Sequence, residues 1–229
     1  MMIKNFSYFS LVAFLSMTGC ASLRMDGVPL NPSAQPIPVA MPIKVDTVRM
    51  YESGSKVFKE IPIASLTKDQ IRNLLSNSSS KMTIEKKDES GQFNYIALGS
   101  TLQKGEYKIT YDFTNSFNQK FELKNGVETI GEFGVGVRLI AEVKSNAKSV
   151  NVNGLIPLVV SAKNNKLSGS IKYNTYGIKH PKINTSAPAT LSLSEDSIQK
   201  VFDAIAVARV LVDLDETTLE PSLLAYIPQ

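Results

Sequence analysis

The sequence predicts a mainly β protein of the α+β kind, built on antiparallel strands with one or two packed helices. Three observations carry that expectation. Val135, Val137, Leu139, Ala141 and Val143 alternate with Gly136, Arg138, Ile140, Glu142 and Lys144, the period of a strand with one buried face. Glycines and Asn/Ser clusters punctuate residues 81–179 at intervals that suit hairpins. Helical spacing with capping residues is confined to two segments, around 65–77 and 194–208. An antiparallel β-sandwich and a partly closed barrel both answer this pattern. With 229 residues, 43% hydrophobic and 20% charged, the chain is one domain or two small ones, too apolar for disorder and too mixed for a polytopic membrane protein. One Cys and one His exclude an intramolecular disulfide framework and a multi-His zinc site.

The chain opens MMIKNFSYFSLVAFLSMTGC. Lys4 is the only charge there, and Phe6 to Met17 form an apolar run too short to span a bilayer, as in a secretory signal. Met17-Thr18-Gly19-Cys20 resembles a bacterial lipobox, with Met17 where Leu is usual. The resemblance implies cleavage of residues 1–19 between Gly19 and Cys20, diacylglycerol on the Cys20 thiol, and an acyl chain such as palmitate on its amine. Ala21, rather than Asp, follows the Cys. By resemblance to Gram-negative lipoproteins this implies an outer-membrane anchor facing the periplasm. Several acyl chains at ~0.8 kcal/mol per buried methylene would make the anchor effectively permanent. The lipid would also take the only thiol, leaving no cysteine nucleophile or thiolate metal ligand.

Residues 20–42 carry five of the eleven prolines, at 29, 32, 36, 38 and 42. Proline fixes φ and removes a donor, so this segment reads as an extended tether with little secondary structure, reaching roughly 60 Å at ~3.1 Å per residue. Residues 43–229 then form a single β-rich domain. Ile43, Val45 and Thr47 begin a strand. Thr67 with Gln70 makes a capping box and Leu66 with Ile71 a hydrophobic staple, so a short helix is predicted there. Strands follow at 81–86, 92–98, 106–114 and 118–124, with an Asn/Ser turn between the last two.

Three long strands are predicted at 133–144, 149–163 and 166–179. In the middle run Val150, Val152, Ile156, Leu158, Val160 and Ala162 share a phase, Pro157 marks a bulge or edge, and Asn164-Asn165 makes a tight hairpin. Ser194 caps a helix with Ile198, Val201, Phe202, Ile205 and Ala208 on its spacing, and Leu223 to Ile227 is a closing strand.

Asp213-Leu-Asp215-Glu-Thr217, after the apolar Val210 to Val212, resembles the first motif of haloacid-dehalogenase-type phosphatases. That resemblance would make Asp213 the nucleophile, Asp215 the acid/base and Mg²⁺ the bridging ion. Only ten residues follow Leu219, where the family needs a Ser/Thr, a Lys and a further acidic pair, and an acidic turn after the C-terminal helix is the preferred reading. The same segment fails as an EF-hand, with Thr218 and Leu224 where Gly and Glu are required. Gly134-Val-Gly136 lacks a third glycine for a dinucleotide loop, and four scattered Ser-x-x-Lys pairs lack their companion motifs. His180 reads as an exposed loop residue beside Pro181. No catalytic residue, metal ligand or cofactor is assigned. The pI near 9 does not indicate nucleic acid, because the lysines are interleaved with acidic residues and no Arg-aromatic stripe exists.

These readings predict a non-enzymatic lipoprotein of the cell envelope, anchored through Cys20, that binds or assembles with an envelope protein. The alternatives are a subunit of an outer-membrane channel or secretion assembly using the strands at 133–179, and a Mg²⁺-dependent phosphatase through Asp213 and Asp215.

Overall fold

The computed structural model describes residues 24–25, 36–52, 57–96, 101–123, 126–183 and 190–227. In chain order the first strands are β1 (Arg24–Met25), β2 (Ile37–Lys44), β3 (Thr47–Glu52) and β4 (Val57–Pro62). A 3-10 turn at Ile63–Ser65 leads to α1 (Lys68–Leu74), followed by β5 (Asn77–Lys87), β6 (Phe93–Ile96), β7 (Gly105–Glu122) and β8 (Glu128–Ser145). Next come α2 (Leu155–Lys163), β9 (Leu167–Tyr176), β10 (Ile178–Lys179), β11 (Thr190–Ser192) and α3 (Glu195–Val212). Two short strands, β12 (Thr218–Leu219) and β13 (Ser222–Tyr226), complete the described chain.

The architecture is organised by β7 and β8. Rich in β-branched and aromatic residues, they pair without a break over eighteen residues each, from Gly105 opposite Ser145 to Glu122 opposite Glu128. Around them an antiparallel sheet of eight strands runs β11-β9-β8-β7-β5-β6, with β13 and β2 added beside β8. The fold is mainly β and α+β, and the sheet does not close into a barrel.

Strand β8 has two neighbours on one side. Gly136 to Ser145 pair with β9, whereas Gly131 to Gly134 pair with β13, which in turn pairs with β2. The handover needs Gly177, whose φ of +68° turns the chain out of the sheet just after β9. A Cβ there would also sit 2.6 Å from the Glu220 carbonyl oxygen. A smaller sheet, β1-β3-β4, covers the hairpin end of the β7–β8 ribbon, where the Arg49 amide donates to Gln119 Oε1 at 2.9 Å.

Three helices complete the described structure. Thr67 and Gln70 form the expected capping box on α1, and Ser194 accepts from the Ser197 amide at the start of α3. Helix α3 buries Ile198, Val201, Ile205, Ala208 and Leu211 against β8 and β9, and α2 packs on α3 and β9.

Three sequence expectations are corrected. Residues 37–42, expected within the tether, form most of β2, because Ile37, Pro38 and Ile43 find register partners on β13. The turn expected between 114 and 118 does not exist. Instead the Asn115 side chain donates to the Leu75 carbonyl and Ser116 donates to Glu132, so both stay in one continuous β7. The strand expected at 149–163 is helix α2 over its second half. Leu155 and Leu158, three apart, are buried, while Ile156 and Val160 are 68% and 51% exposed. Pro157 falls in the first turn, where its missing N–H has no intrahelical partner to lose.

Candidate functional site

Gly19 and Cys20, the predicted cleavage and lipidation residues, lie outside the described residues. Asp213 is the C-cap of α3, so Val210 to Val212 are helix and not the strand the phosphatase resemblance requires. Asp215 follows in the turn, its carboxylate 3.0 Å from Arg72 Nη1 and its carbonyl accepting from Lys68 Nζ. The segment is the acidic turn after a helix, tied to α1 by two basic side chains. His180 is not exposed as expected. Its side chain is 5% exposed, with Nδ1 accepting from the Lys182 amide at 3.0 Å and Nε2 facing Glu216 at 3.7 Å. Among the described residues no group of three or more His, Cys, Asp or Glu side chains is placed to hold a metal ion.

What the fold brings together lies elsewhere. At the hairpin end of the ribbon, Phe117 and Phe133 stack at 5.8 Å and Phe121 meets Phe133 edge-on at 5.6 Å. Gly131 makes this possible, since a Cβ there would lie 2.7 Å from both Phe121 and Phe133. Above these rings, β2 and β13 leave an open groove of about 820 Å³. Its floor is apolar, from Val39, Ile43, Phe121, Phe133 and Leu223, and its rim carries Asp46, Arg49, Glu60 and Lys120. Ile43 is 55% exposed within it. Arg49 is fixed on the rim by Glu128 at 3.1 Å and by the Phe58 ring at 5.7 Å.

A second feature lies on the sheet face opposite the helices. Register places Thr110, Asp112, Thr114 and Ser116 of β7 beside Ile140, Arg138, Gly136 and Gly134 of β8. The β2–β13 pair folds over them. Arg138 grips Asp112 through two bonds, Nε to Oδ1 at 2.7 Å and Nη2 to Oδ2 at 2.9 Å, and also donates to the Leu224 and Val39 carbonyls. Glu132 accepts from Ser116 at 2.9 Å and pairs with Lys81 at 2.7 Å. Burial pushes the Asp112 carboxyl above the usual range, against the pull of Arg138. Tyr176, opposite Gly136, has a hydroxyl buried without a hydrogen-bond partner among the described residues. Burial, and then the Asp112 charge, raises its pKa well above a free phenol.

Here each buried carboxylate faces a basic partner, so the seam acts as a clasp holding β2 and β13 over the sheet, with Val39 and Leu224 contributing backbone oxygens. Sequence reasoning missed both features. Asp112, Glu132 and Arg138 sit on the face that alternation assigns to solvent, and their burial depends on β2 and β13, whose contacts with Arg138 come from 99 and 86 residues away in the chain.

Compared with known protein families, curated proteins and solved structures, the chain matches none. No helix among the described residues is long and apolar enough to cross a membrane.

Proposed function

We propose that the protein is a lipid-anchored component of the bacterial envelope, attached through Cys20 to the outer membrane and facing the periplasm. In this reading its β-domain is a non-enzymatic binding module. The observation that carries the binding part is the open groove of about 820 Å³ beside Ile43, with its aromatic floor and charged rim. Exposed apolar surface that is concave and rimmed by charge marks a site of association. The anchor rests on the Met17-Thr18-Gly19-Cys20 resemblance. The channel alternative loses support, because the middle one of its three strands is helix α2.

Two measurements test the reading. Metabolic labelling with palmitate should mark the wild-type chain and not Cys20→Ser. A photo-crosslinker at Ile43, with the full chain in its native envelope, should give one discrete adduct that Phe121→Asp abolishes. Label-free wild type would remove the anchor, and absence of any adduct would remove the module.

A further inference from the structure

We propose that the outer edge of β5, from Asn77 to Thr83, is a strand-addition site for an extended peptide of a partner protein. The proposal rests on the reading of the domain as a binding module, but it concerns a surface separate from the groove at Ile43.

Among the described residues this edge is unpaired. On one side β5 pairs with β7 from Asn77 opposite Ser116 to Lys86 opposite Tyr107. On the other, β6 covers only Ile84 to Lys87, so seven residues have no neighbouring strand among the described residues. At ~3.3 Å per residue that is roughly 23 Å of backbone. Alternate residues of an antiparallel strand turn their N–H and C=O away from the paired partner, so this edge offers a ready ladder.

Three usual protections are missing from the segment itself. Edge strands are commonly blunted by proline, by a bulge or by a charge held outward. The segment Asn-Ser-Ser-Ser-Lys-Met-Thr contains no proline, and its register against β7 is continuous. Its one charge, Lys81, is drawn onto Glu132 at 2.7 Å.

Both faces of the edge carry a recess, and their chemistry names the occupant. On the helix side, Met82, Phe113, Ile156 and Phe202 line about 460 Å³. Ile156 is 68% and Phe202 37% exposed there, so an apolar side chain from a new strand would cover them. On the opposite side, Lys81, Thr83, Asp112, Glu132 and Pro38 line about 300 Å³. The charges of that recess are already matched, Asp112 by Arg138 and Glu132 by Lys81, so it favours small uncharged hydrogen-bonding side chains. A strand laid beside β5 sends successive side chains to opposite faces. The fitting partner is therefore a segment of about seven residues alternating aliphatic with Ser, Thr or Asn, held by main-chain bonds and selected by the two recesses.

The test uses the full chain in detergent and a blocked seven-residue peptide alternating leucine and threonine. A second peptide of the same composition, with its leucines contiguous, is the control. Saturable binding of the alternating peptide is expected, with amide exchange slowed at least tenfold at alternate positions within 77–83. Ile156→Asp, on an exposed helical face, should weaken that binding at least tenfold, and the control should bind no better than this variant. Exchange at 77–83 left unchanged by the peptide, or binding indifferent to Ile156→Asp, would overturn the proposal. Protection of 77–83 in the absence of peptide, together with a dimeric native mass, would overturn it in favour of a second copy of this chain. If the peptide fails on a preparation that still gives the Ile43 adduct, only the edge is lost. Loss of that adduct removes the module reading itself.

Discussion

The two faces of the β7–β8 ribbon are both buried, yet they are held in opposite ways. On the helix side Tyr107, Ile109, Tyr111 and Phe113 stand across from Val143, Ala141, Leu139 and Val137, an interface defined by volume. On the other side Thr110, Asp112, Thr114 and Ser116 stand across from Ile140, Arg138, Gly136 and Gly134, an interface defined by partners. An apolar face accepts many shapes of similar size. The polar face accepts one arrangement, since each charge has a named acceptor or donor and two of Arg138's acceptors are carbonyls of β2 and β13. The comparison teaches where positional precision comes from. Helices cover the first face, whereas the second fixes where the β2–β13 pair, and hence the wall of the Ile43 groove, must lie.

Breaking the polar face should have the largest effect. Arg138→Ala leaves Asp112 buried opposite no cation and two carbonyls unmet, which costs about 3–5 kcal/mol. Urea unfolding should show it as a lowered midpoint with little change in slope. Arg138→Lys should recover only part of the loss, because a lysine cannot make the two parallel bonds to Asp112. The double change Asp112→Leu with Arg138→Met should be far milder than Arg138→Ala alone, as both charges leave together. A loss below about 1 kcal/mol for Arg138→Ala would erase the distinction between the faces.

The apolar face should respond to volume instead. Leu139 is fully buried, and Leu139→Ala should cost about 2–4 kcal/mol through lost transfer energy and the cavity left behind. Leu139→Met, which keeps volume, should cost less than about 1.5 kcal/mol. The same pair of denaturation curves checks both. Equal costs for the alanine and methionine variants would show that shape, and not volume, governs this face too.

The difference also explains what was legible in the sequence. The Thr67/Gln70 capping box and the Ile198, Val201, Ile205, Ala208 stripe are local signals, and both helices lie where those residues place them. The strand alternation of Val135 to Val143 is likewise local and marks the helix-facing side of β8. Helix α2 is not legible locally because Val152, Ile156, Leu158 and Val160 satisfy a strand phase, whereas it is Leu155, Leu158 and Val159, on the helical spacing, that meet the core. The clasp was illegible for another reason. Asp112 and Arg138 alternate outward as solvent-facing residues do, and only the return of β2 and β13 makes them interior. Nothing in their local pattern encodes that cover. The edge of β5 is hidden in the same way, since among the described residues β6 pairs only with Ile84 to Lys87.

The smallest predicted effect sharpens the comparison by sign. The β2–β13 pair is held from inside by Arg138 and from outside by Glu220, whose carboxylate meets Lys179 at 2.7 Å and Lys44 at 3.2 Å. Hydrogen bonding from Lys179, more than that from Lys44, holds the Glu220 carboxyl below the usual carboxylate range. A group with a depressed folded pKa binds fewer protons in the native state, so its contribution is present above the unfolded value near 4.5 and lost as pH falls through the folded value. Glu220→Gln should therefore lower stability at pH 7 by no more than ~1 kcal/mol, given its partial exposure. The gap to wild type should close below the folded pKa. Asp112, with a raised pKa, carries the opposite slope, losing stability as pH rises above the ordinary Asp range. Urea midpoints for wild type and Glu220→Gln from pH 3 to 7 separate the two. A gap that stays constant across that range would mean that Glu220 acts through packing rather than charge, leaving the electrostatic hold on the pair to Arg138 among these two.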